Sequence, residues 1–168
     1  MTIHTGHPFA DPDPDPARRL RGRVVGAVTL WTAGDRADRT GLTVTSLMVA
    51  LGPEPRVLAL LDPDSDLLAG VRETGRAVVQ VLTWGDRQLA EAFAGTAPAP
   101  GGPFRQAEFV ATSYGPRLAT TTTYADVSLV GEREVGWSVE VEATLDAIIV
   151  GDDADRPLLH RRGRFHTI

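Results

Sequence analysis

Apolar runs along the chain predict a protein built mainly from β-strands. Three runs rich in valine and leucine have the length of a buried strand and end at turn residues: Val24 to Thr32, Arg56 to Asp62 and Arg76 to Thr83. Two longer runs, Leu118 to Val130 and Trp137 to Val150, flank the turn sequence GEREVG. Their length and separation predict two long strands joined by a turn.

Helical spacing is confined to short segments between these strands. Asp15 and Pro16 are residues that favour the start of a helix, which we expect to end near Gly22. The segments DLLAGVRETG and WGDRQLAEAFAG predict two further helices, each ending at glycine. Six or more strands with two or three short helices predict a β-barrel with helical insertions, and not a βαβ nucleotide fold.

The stretch from Gly41 to Pro55, GLTVTSLMVALGPEP, changes character along its length. Thr43 and Thr45 share one face of the predicted strand, and Ser46 lies on the other face. From Leu47 to Leu51 both faces are apolar. The pattern predicts one end that is buried and one end that faces water or a ligand, although the β-propensity of threonine alone also explains the hydroxyls.

Composition narrows the chemistry that the protein can perform. The 168 residues contain no cysteine and no lysine, so disulfides, thiolate sites, a Schiff base and a P-loop lysine are excluded. The formal charge is −5, which argues against nucleic acid as a partner, and we interpret two short arginine clusters, Arg18 to Arg23 and His160 to His166, as solvated charge. Any anion held by side-chain charge is therefore held by arginine.

The N-terminal sequence predicts an arm rather than a domain. Residues 1–16 contain DPDPDP, in which proline blocks helix and strand, so we expect a flexible acidic arm ahead of one domain spanning residues 17–168. The arm lacks the pattern of a secretory signal, and no run of eighteen apolar residues occurs. We expect a cytoplasmic protein that does not bind a membrane.

No common catalytic or metal motif is present. His4 and His7 fall in the predicted arm, where a metal site would lack a scaffold, and Ser46 has no neighbouring histidine. We therefore predict no metal site. An enzyme with this sequence needs chemistry that its side chains do not supply, and a cofactor is the simplest source.

Six segments in order resemble the flavin reductase-like family, the FMN-binding split barrel. They are VVGAVTLWT, GLTVTSLMVALGPEP with RVLALLDPDSDL, VRETGRAVVQVL, QLAEAFAG, GPRLATTTTYADVSLV and DRPLLHRRGRF. The resemblance implies a mainly β, Greek-key-like split barrel with two or three short helices. It also implies a homodimer that binds FMN, or FAD, near the subunit interface and uses NAD(P)H as co-substrate, with a partner monooxygenase as one possible acceptor of reduced flavin.

The resemblance also implies which residues bind the cofactor. The segment from Thr43 to Ser46 is expected along the polar edge of the flavin ring, and the loop from Asp62 to Asp66 offers Ser65 and a helix N-terminus to the phosphate, with Arg76 as a nearby charge. The candidates are Thr43, Val44, Thr45, Ser46, Asp62, Pro63, Ser65 and Arg76.

One departure from the family leaves the activity open. Many members have Gly-Asp-His where this chain has Gly136, Trp137 and Ser138. The primary hypothesis is a reductase that transfers hydride from NAD(P)H to flavin, which needs no protein acid or base. The alternatives are a flavin or deazaflavin binder without nicotinamide-dependent activity and a non-catalytic dimeric scaffold.

Overall fold

The computed structural model describes residues 15–152 and 155–168, in which short helices surround a curled antiparallel sheet. Its α-helices are α1 (Pro16–Arg23), α2 (Asp66–Thr74) and α3 (Arg87–Phe93). The sequence prediction for α1 is confirmed, because the Asp15 carboxylate accepts a hydrogen bond from the Ala17 amide at 2.9 Å with Pro16 as the first helical residue.

Seven strands form the main sheet. In chain order the strands of the described residues are β1 (Gly26–Ala27), β2 (Thr29–Ala33), β3 (Thr40–Val44), β4 (Leu47–Ala50), β5 (Arg56–Leu61), β6 (Arg76–Val81), β7 (Phe109–Thr112), β8 (Gly115–Leu118), β9 (Tyr124–Val135), β10 (Ser138–Ile149), β11 (Leu159–Arg161) and β12 (Arg164–His166). The main sheet has the order β3-β2-β6-β9-β10-β5-β4, and all its pairs are antiparallel.

The two edges of this sheet are consecutive in the chain. β3 ends at Val44 and β4 begins at Leu47, yet they lie at opposite edges of the sheet. Two residues can connect opposite edges only if the sheet curls until its edges approach each other. The predicted split-barrel class is confirmed by this curled, mainly β fold.

Two apolar cores lie on the two sides of the curled sheet. The inner core contains Trp31, Val79 and Val141, and α2 covers it with Leu67, Leu68 and Val71. The outer core lies beneath α3, whose Leu89, Ala90 and Phe93 pack on residues from β2 and β8 and from the segments that flank β6 and β11. The alternation of side chains along β2 explains both cores, because Trp31 and its neighbour Leu30 point to opposite faces.

Two glycines allow close approach around β3. A Cβ on Gly41 would lie 2.6 Å from the Phe93 ring, so this glycine lets α3 pack directly on the strand. A Cβ on Gly26 would lie 2.7 Å from the Thr45 carbonyl oxygen. The second contact fixes the path of the chain just after β3 ends.

Two expectations about buried strands were wrong. Leu47 packs against the inner core, but the rest of the apolar run, to Leu51, is exposed in the single chain, with Met48 at 70% and Leu51 at 91%, because β4 is the last strand of the sheet. The strand predicted from Val24 to Thr32 is divided into β1 and β2, and Val24 is exposed directly after α1. Most of the predicted arm, residues 1–14, lies outside the described residues.

Two further searches concern only residues 15–152 and 155–168. No helix in these ranges is long and apolar enough to cross a membrane. The same ranges contain no group of three or more histidine, aspartate or glutamate side chains that could hold a metal ion.

Candidate functional site

Residues Thr43 to Ser46, which end β3 and lead to β4, form the seam of the barrel. The Ser46 carbonyl oxygen accepts a hydrogen bond from the Leu60 amide at 3.0 Å, and the Ser46 hydroxyl donates to the Leu60 carbonyl oxygen at 2.8 Å. These bonds extend the pairing of β4 with β5 by one residue. The seam is therefore held by Ser46 itself, whose hydroxyl has a structural partner.

The other hydroxyls of the seam differ in what they contact. The Thr43 hydroxyl donates to the Ala90 carbonyl oxygen in α3 at 2.7 Å, and the Val44 side chain is buried in the inner core. The Val44 carbonyl oxygen accepts from the Thr29 hydroxyl at 2.7 Å. Among the hydrogen bonds between described residues, none uses the Thr45 hydroxyl, so Thr45 is the seam residue best placed to bind a ligand.

The loop after β5 is also used by the fold. The Ser65 hydroxyl donates to the Asp62 carbonyl oxygen at 2.8 Å and accepts from the Leu68 amide at 3.3 Å, which caps α2. The Asp64 amide donates to the Asp62 carboxylate at 2.9 Å. Asp62, Asp64 and Asp66 are all exposed around this helix N-terminus, so a phosphate at the predicted position would face three carboxylates.

Strand register brings three sequence segments to one end of the barrel. Ser46 lies beside Leu60, and Val139 pairs with Leu61, which sets Ser138 next to Asp62. Trp137 is 83% exposed at the β9–β10 turn and does not fill the barrel. The seam, the Asp62–Ser65 loop (residues 62–65, including Pro63) and the position of the family histidine therefore adjoin one another.

Arg76 does not join this group. It begins β6 and pairs with Ser128, whereas Val81 at the other end of β6 pairs with Thr29. The five-residue step from Arg76 to Val81 along β6 corresponds to a distance of roughly 17 Å. The Arg76 guanidinium instead lies 5.1 Å from the centre of the Tyr114 ring. It is thus near the β7–β8 turn and away from the seam.

A cleft of about 530 Å³ opens beside Thr45, between β3, α3 and the β11–β12 hairpin. It is lined by Thr43, Thr45, Arg87, Glu91, Ala94, Thr96, His160, Gly163, Arg164 and Phe165. The Arg87 guanidinium lies 4.9 Å from the Trp84 ring centre, and Arg164 is exposed on β12. Arg87, Arg164 and the Thr45 hydroxyl give the cleft donors for an anionic ligand, whereas the Glu91 carboxylate is an acceptor whose charge opposes one.

Sequence reasoning missed the arginines of this cleft. Arg87 was part of a predicted helix without a function, and Arg164 was counted among solvated charges. The absence of lysine indicated that arginine must hold any anion, but 17 arginines were available. Only the packing of α3 and the final hairpin around β3 shows which two lie beside Thr45.

His160 is a titratable group that lines the cleft. Burial lowers the pKa of His160 below its ordinary value, and the positive charges of Arg21 and His166 lower it further. The free protein therefore holds this imidazole neutral around pH 7. An anion in the cleft would favour the protonated form.

Comparisons with known proteins agree with this fold. The sequence model of the family described as "Flavin reductase like domain" matches residues 21–168. No curated protein matches the sequence significantly.

Three solved structures illustrate the likeness. The NADH:FAD oxidoreductase SgcE6 of Streptomyces globisporus C-1027, in complex with NAD and FAD fragments, has a TM-score of 0.80 at 21% identity, with 90% of each chain covered. Flavin reductase PheA2 in its native state has a TM-score of 0.81 at 19% identity, covering 93% of this chain and 98% of its own. The styrene monooxygenase flavin reductase of Pseudomonas putida S12 has a TM-score of 0.78 at 19% identity, covering 92% and 97%.

Proposed function

Because the chain belongs to the flavin reductase like domain family, we propose that it binds FMN and reduces it with NAD(P)H. The family match covers residues 21–168 and makes flavin reductase the class of this enzyme. The single observation that carries the choice of a phosphorylated flavin is the cleft beside Thr45, which contains Arg87 and Arg164. FMN carries a phosphate that these guanidinium groups can bind, and riboflavin does not.

The seam supports a position for the flavin ring. Thr45 precedes Ser46, whose backbone pairs with Leu60, so the backbone at Thr45 lies near the start of the Asp62–Ser65 loop. These two segments offer polar groups to the edge of the ring, whose donors and acceptors need partners when buried. Thr43, Val44 and Ser46 contribute through the backbone path, since the side chains of all three are engaged within the protein.

We place the phosphate in the cleft and not at the N-terminus of α2. Ser65 already caps that helix, and its neighbourhood carries the carboxylates of Asp62, Asp64 and Asp66. Arg76, the charge first expected there, lies at the other end of β6. Thr45 contacts both the seam and the cleft, so a flavin whose ring lies at the seam can extend its ribityl phosphate toward Arg87 and Arg164.

FMN held by the seam and the cleft would supply the redox chemistry, as the acceptor of a hydride from NAD(P)H. The chain then contributes the surface on which the two rings meet, and no acid or base is required of it. Ser138 stands where many members of the family have histidine, and it adjoins the Asp62–Ser65 loop. We therefore expect nicotinamide to be held weakly there. That observation keeps a second candidate function open, a flavin binder with no nicotinamide-dependent activity.

A second copy of the chain is proposed to cover β4. Met48 and Val49 are exposed on this edge strand, as is Leu51 directly after it, and an apolar edge strand is a site for pairing with another chain. A homodimer formed there would lie directly beside the seam. Light scattering tests this, and a flavin-loaded monomer would contradict the proposed interface.

Reduced flavin is proposed to pass to a partner oxygenase. One similar structure is the flavin reductase of a styrene monooxygenase, and another is the reductase component of a two-component tryptophan halogenase. Both names describe reductases that serve a separate enzyme. This supports the proposal that this chain supplies reduced flavin to a separate oxygenase.

Titration of apoprotein with FMN and with riboflavin, followed by flavin fluorescence, tests the proposed function. We expect about one FMN per subunit, weaker riboflavin binding, and oxidation of NADH or NADPH when FMN is present. Tight FMN binding without oxidation of either nicotinamide would replace the reductase with the binder. A protein that takes up no flavin would favour the scaffold.

A further inference from the structure

The cleft beside Thr45 is larger than the phosphate of FMN requires. Its volume of about 530 Å³ lies within the range of pockets that enclose a whole small-molecule ligand, roughly 300 to 1000 Å³. Arg87, Glu91 and Ala94 line it at helical spacing along one face of α3 and its C-terminal end, a step of about 10 Å. The phosphate can occupy one part of this cleft, and the rest has room for a further group.

Glu91 is the cleft residue that a phosphate does not explain. It lies one helical turn after Arg87, a spacing at which the two side chains often pair, yet the ion pairs between described residues do not include it. The Arg87 guanidinium instead lies 4.9 Å from the centre of the Trp84 ring. Outside the helix, the hydrogen bonds from described residues to Glu91 use its backbone oxygen, which accepts from the amide and the hydroxyl of Thr96. The carboxylate therefore lines the cleft as an acceptor for a ligand that carries hydroxyls.

The wall formed by the β11–β12 hairpin carries two aromatic rings. His160 and Phe165 are cross-strand partners, so their side chains lie on one face of the hairpin, with ring centres 5.6 Å apart. Both line the cleft, and both are only partly buried. Aromatic side chains stack on the planar bases of nucleotides, and this wall therefore suits a base.

We propose that the cleft binds an adenosine phosphate and thereby selects FAD over FMN. Arg87 and Arg164 hold the phosphates, and the Glu91 carboxylate accepts hydrogen bonds from the ribose hydroxyls. His160 and Phe165 offer the base an aromatic surface. FAD is FMN joined through its phosphate to an adenosine phosphate, so the added half continues from the position given to the FMN phosphate. This inference rests on the proposed function, because it uses that phosphate position.

Calorimetric titrations with FMN and FAD test the proposal on two variants. Glu91→Gln keeps the size of the side chain and removes its charge, and the control Glu73→Gln makes the same change on α2, outside the cleft. We expect the natural chain and the control to bind FAD about tenfold more tightly than FMN. Glu91→Gln should weaken FAD binding about tenfold, because a charge-assisted contact is lost. It should leave FMN binding unchanged or slightly tighter, because a charge that opposes the phosphate is gone.

A second measurement needs no flavin. AMP and 2′,3′-dideoxy-AMP differ only in the ribose hydroxyls, so the natural chain should bind AMP about tenfold more tightly, and Glu91→Gln should bind both equally weakly. AMP should also compete with FAD. NADH carries the same adenosine phosphate, and its separate titration distinguishes the two sources of this group.

Three results would overturn the inference. Equal affinity for FMN and FAD, with no binding of AMP, would leave FMN as the cofactor and refute the adenosine site. Equal weakening of FMN and FAD by Glu91→Gln would assign the carboxylate to the ribityl hydroxyls. A dependence on Glu91 for NADH but not for FAD would give the cleft to the nicotinamide dinucleotide and refute the selection of FAD. If the chain bound no flavin at all, the proposed function would fail, and the AMP titration would still decide the adenosine site by itself.

Discussion

The seam end of the barrel and the cleft beside α3 share Thr45 but differ in charge and in how far their polar groups are engaged. At the seam end, the hydroxyls of Ser46 and Ser65 have protein partners, and three aspartates surround the start of α2. In the cleft, Arg87 and Arg164 have no carboxylate within ion-pair distance among the described residues. A neutral, polar flavin ring suits the first region and an anionic phosphate suits the second.

Hydroxyls near a helix N-terminus are therefore a weak guide to a phosphate site in this fold. A cap residue accepts a hydrogen bond from an amide of its own helix, and that amide is then no longer free to donate to a phosphate. The cleft has no sequence motif, yet neither of its arginines forms an ion pair with a described residue. Whether a polar side chain already has a partner within the protein distinguishes the two regions better than its residue type does.

The largest expected effect comes from removing both cleft arginines. Arg87→Gln/Arg164→Gln should weaken FMN binding by about 30- to 100-fold, because two charge-assisted contacts to phosphate are lost. Riboflavin binding should change little, which fluorescence titration of both flavins measures. Arg72→Gln/Arg133→Gln is the matched control for net charge, and a parallel loss of riboflavin affinity would place the ring, not the phosphate, in the cleft.

The next effect concerns His160 and pH. Because burial and neighbouring positive charges lower the pKa of His160 in the free protein, phosphate binding should raise that pKa and take up a proton. FMN affinity relative to a His160→Gln variant should therefore increase as pH falls from about 8 to 6, by about three- to tenfold. Arg87, Arg164 and Glu91 also face the cleft, and FMN phosphate itself loses charge near pH 6, so the two proteins are compared at each pH. An unchanged ratio would separate His160 from the phosphate.

A smaller effect is expected at the β9–β10 turn. Ser138→His should speed NAD(P)H oxidation several-fold while FMN affinity stays constant, because imidazole offers the nicotinamide a larger polar surface than a hydroxyl. Steady-state kinetics with both nicotinamides measure it, and Arg133→Gln serves as a nearby control on the same hairpin. If neither the natural chain nor the variant oxidises NADH or NADPH, the binder hypothesis replaces the reductase.

The smallest effect on flavin is expected at Ser65. Ser65→Ala should lower the free energy of unfolding by about 1 kcal/mol through loss of the α2 cap. Its ratio of FMN to riboflavin affinity should remain that of the natural protein, which denaturant unfolding and flavin titration check together. A selective loss of FMN affinity would return the phosphate to the start of α2 and contradict its assignment to the cleft.

Local sequence patterns predicted the elements well where the determining contacts are local. The cap of α1 depends on Asp15 and the adjacent amides. The two long strands were predicted as a pair, but β9 spans Tyr124–Val135, so it starts later than predicted and includes residues 131–135 of the predicted turn. The ordered motifs of the family also led from sequence to the correct fold class and family. The exposure of Met48 could not be predicted in this way, because it depends on which strand ends the sheet.

The sequence by itself determined the strands, the helix caps, the absence of lysine and cysteine, and the family. Each of these depends on residue type, on spacing within one element or on the order of motifs along the chain. Only the tertiary structure decided that Arg76 lies far from the seam, that the Ser65 hydroxyl already has partners, and that Arg87 and Arg164 line one cleft with Thr45. The reason is physical: electrostatic neighbours and burial arise from strand pairing and helix packing between residues that are distant in the chain, and no local pattern records those contacts.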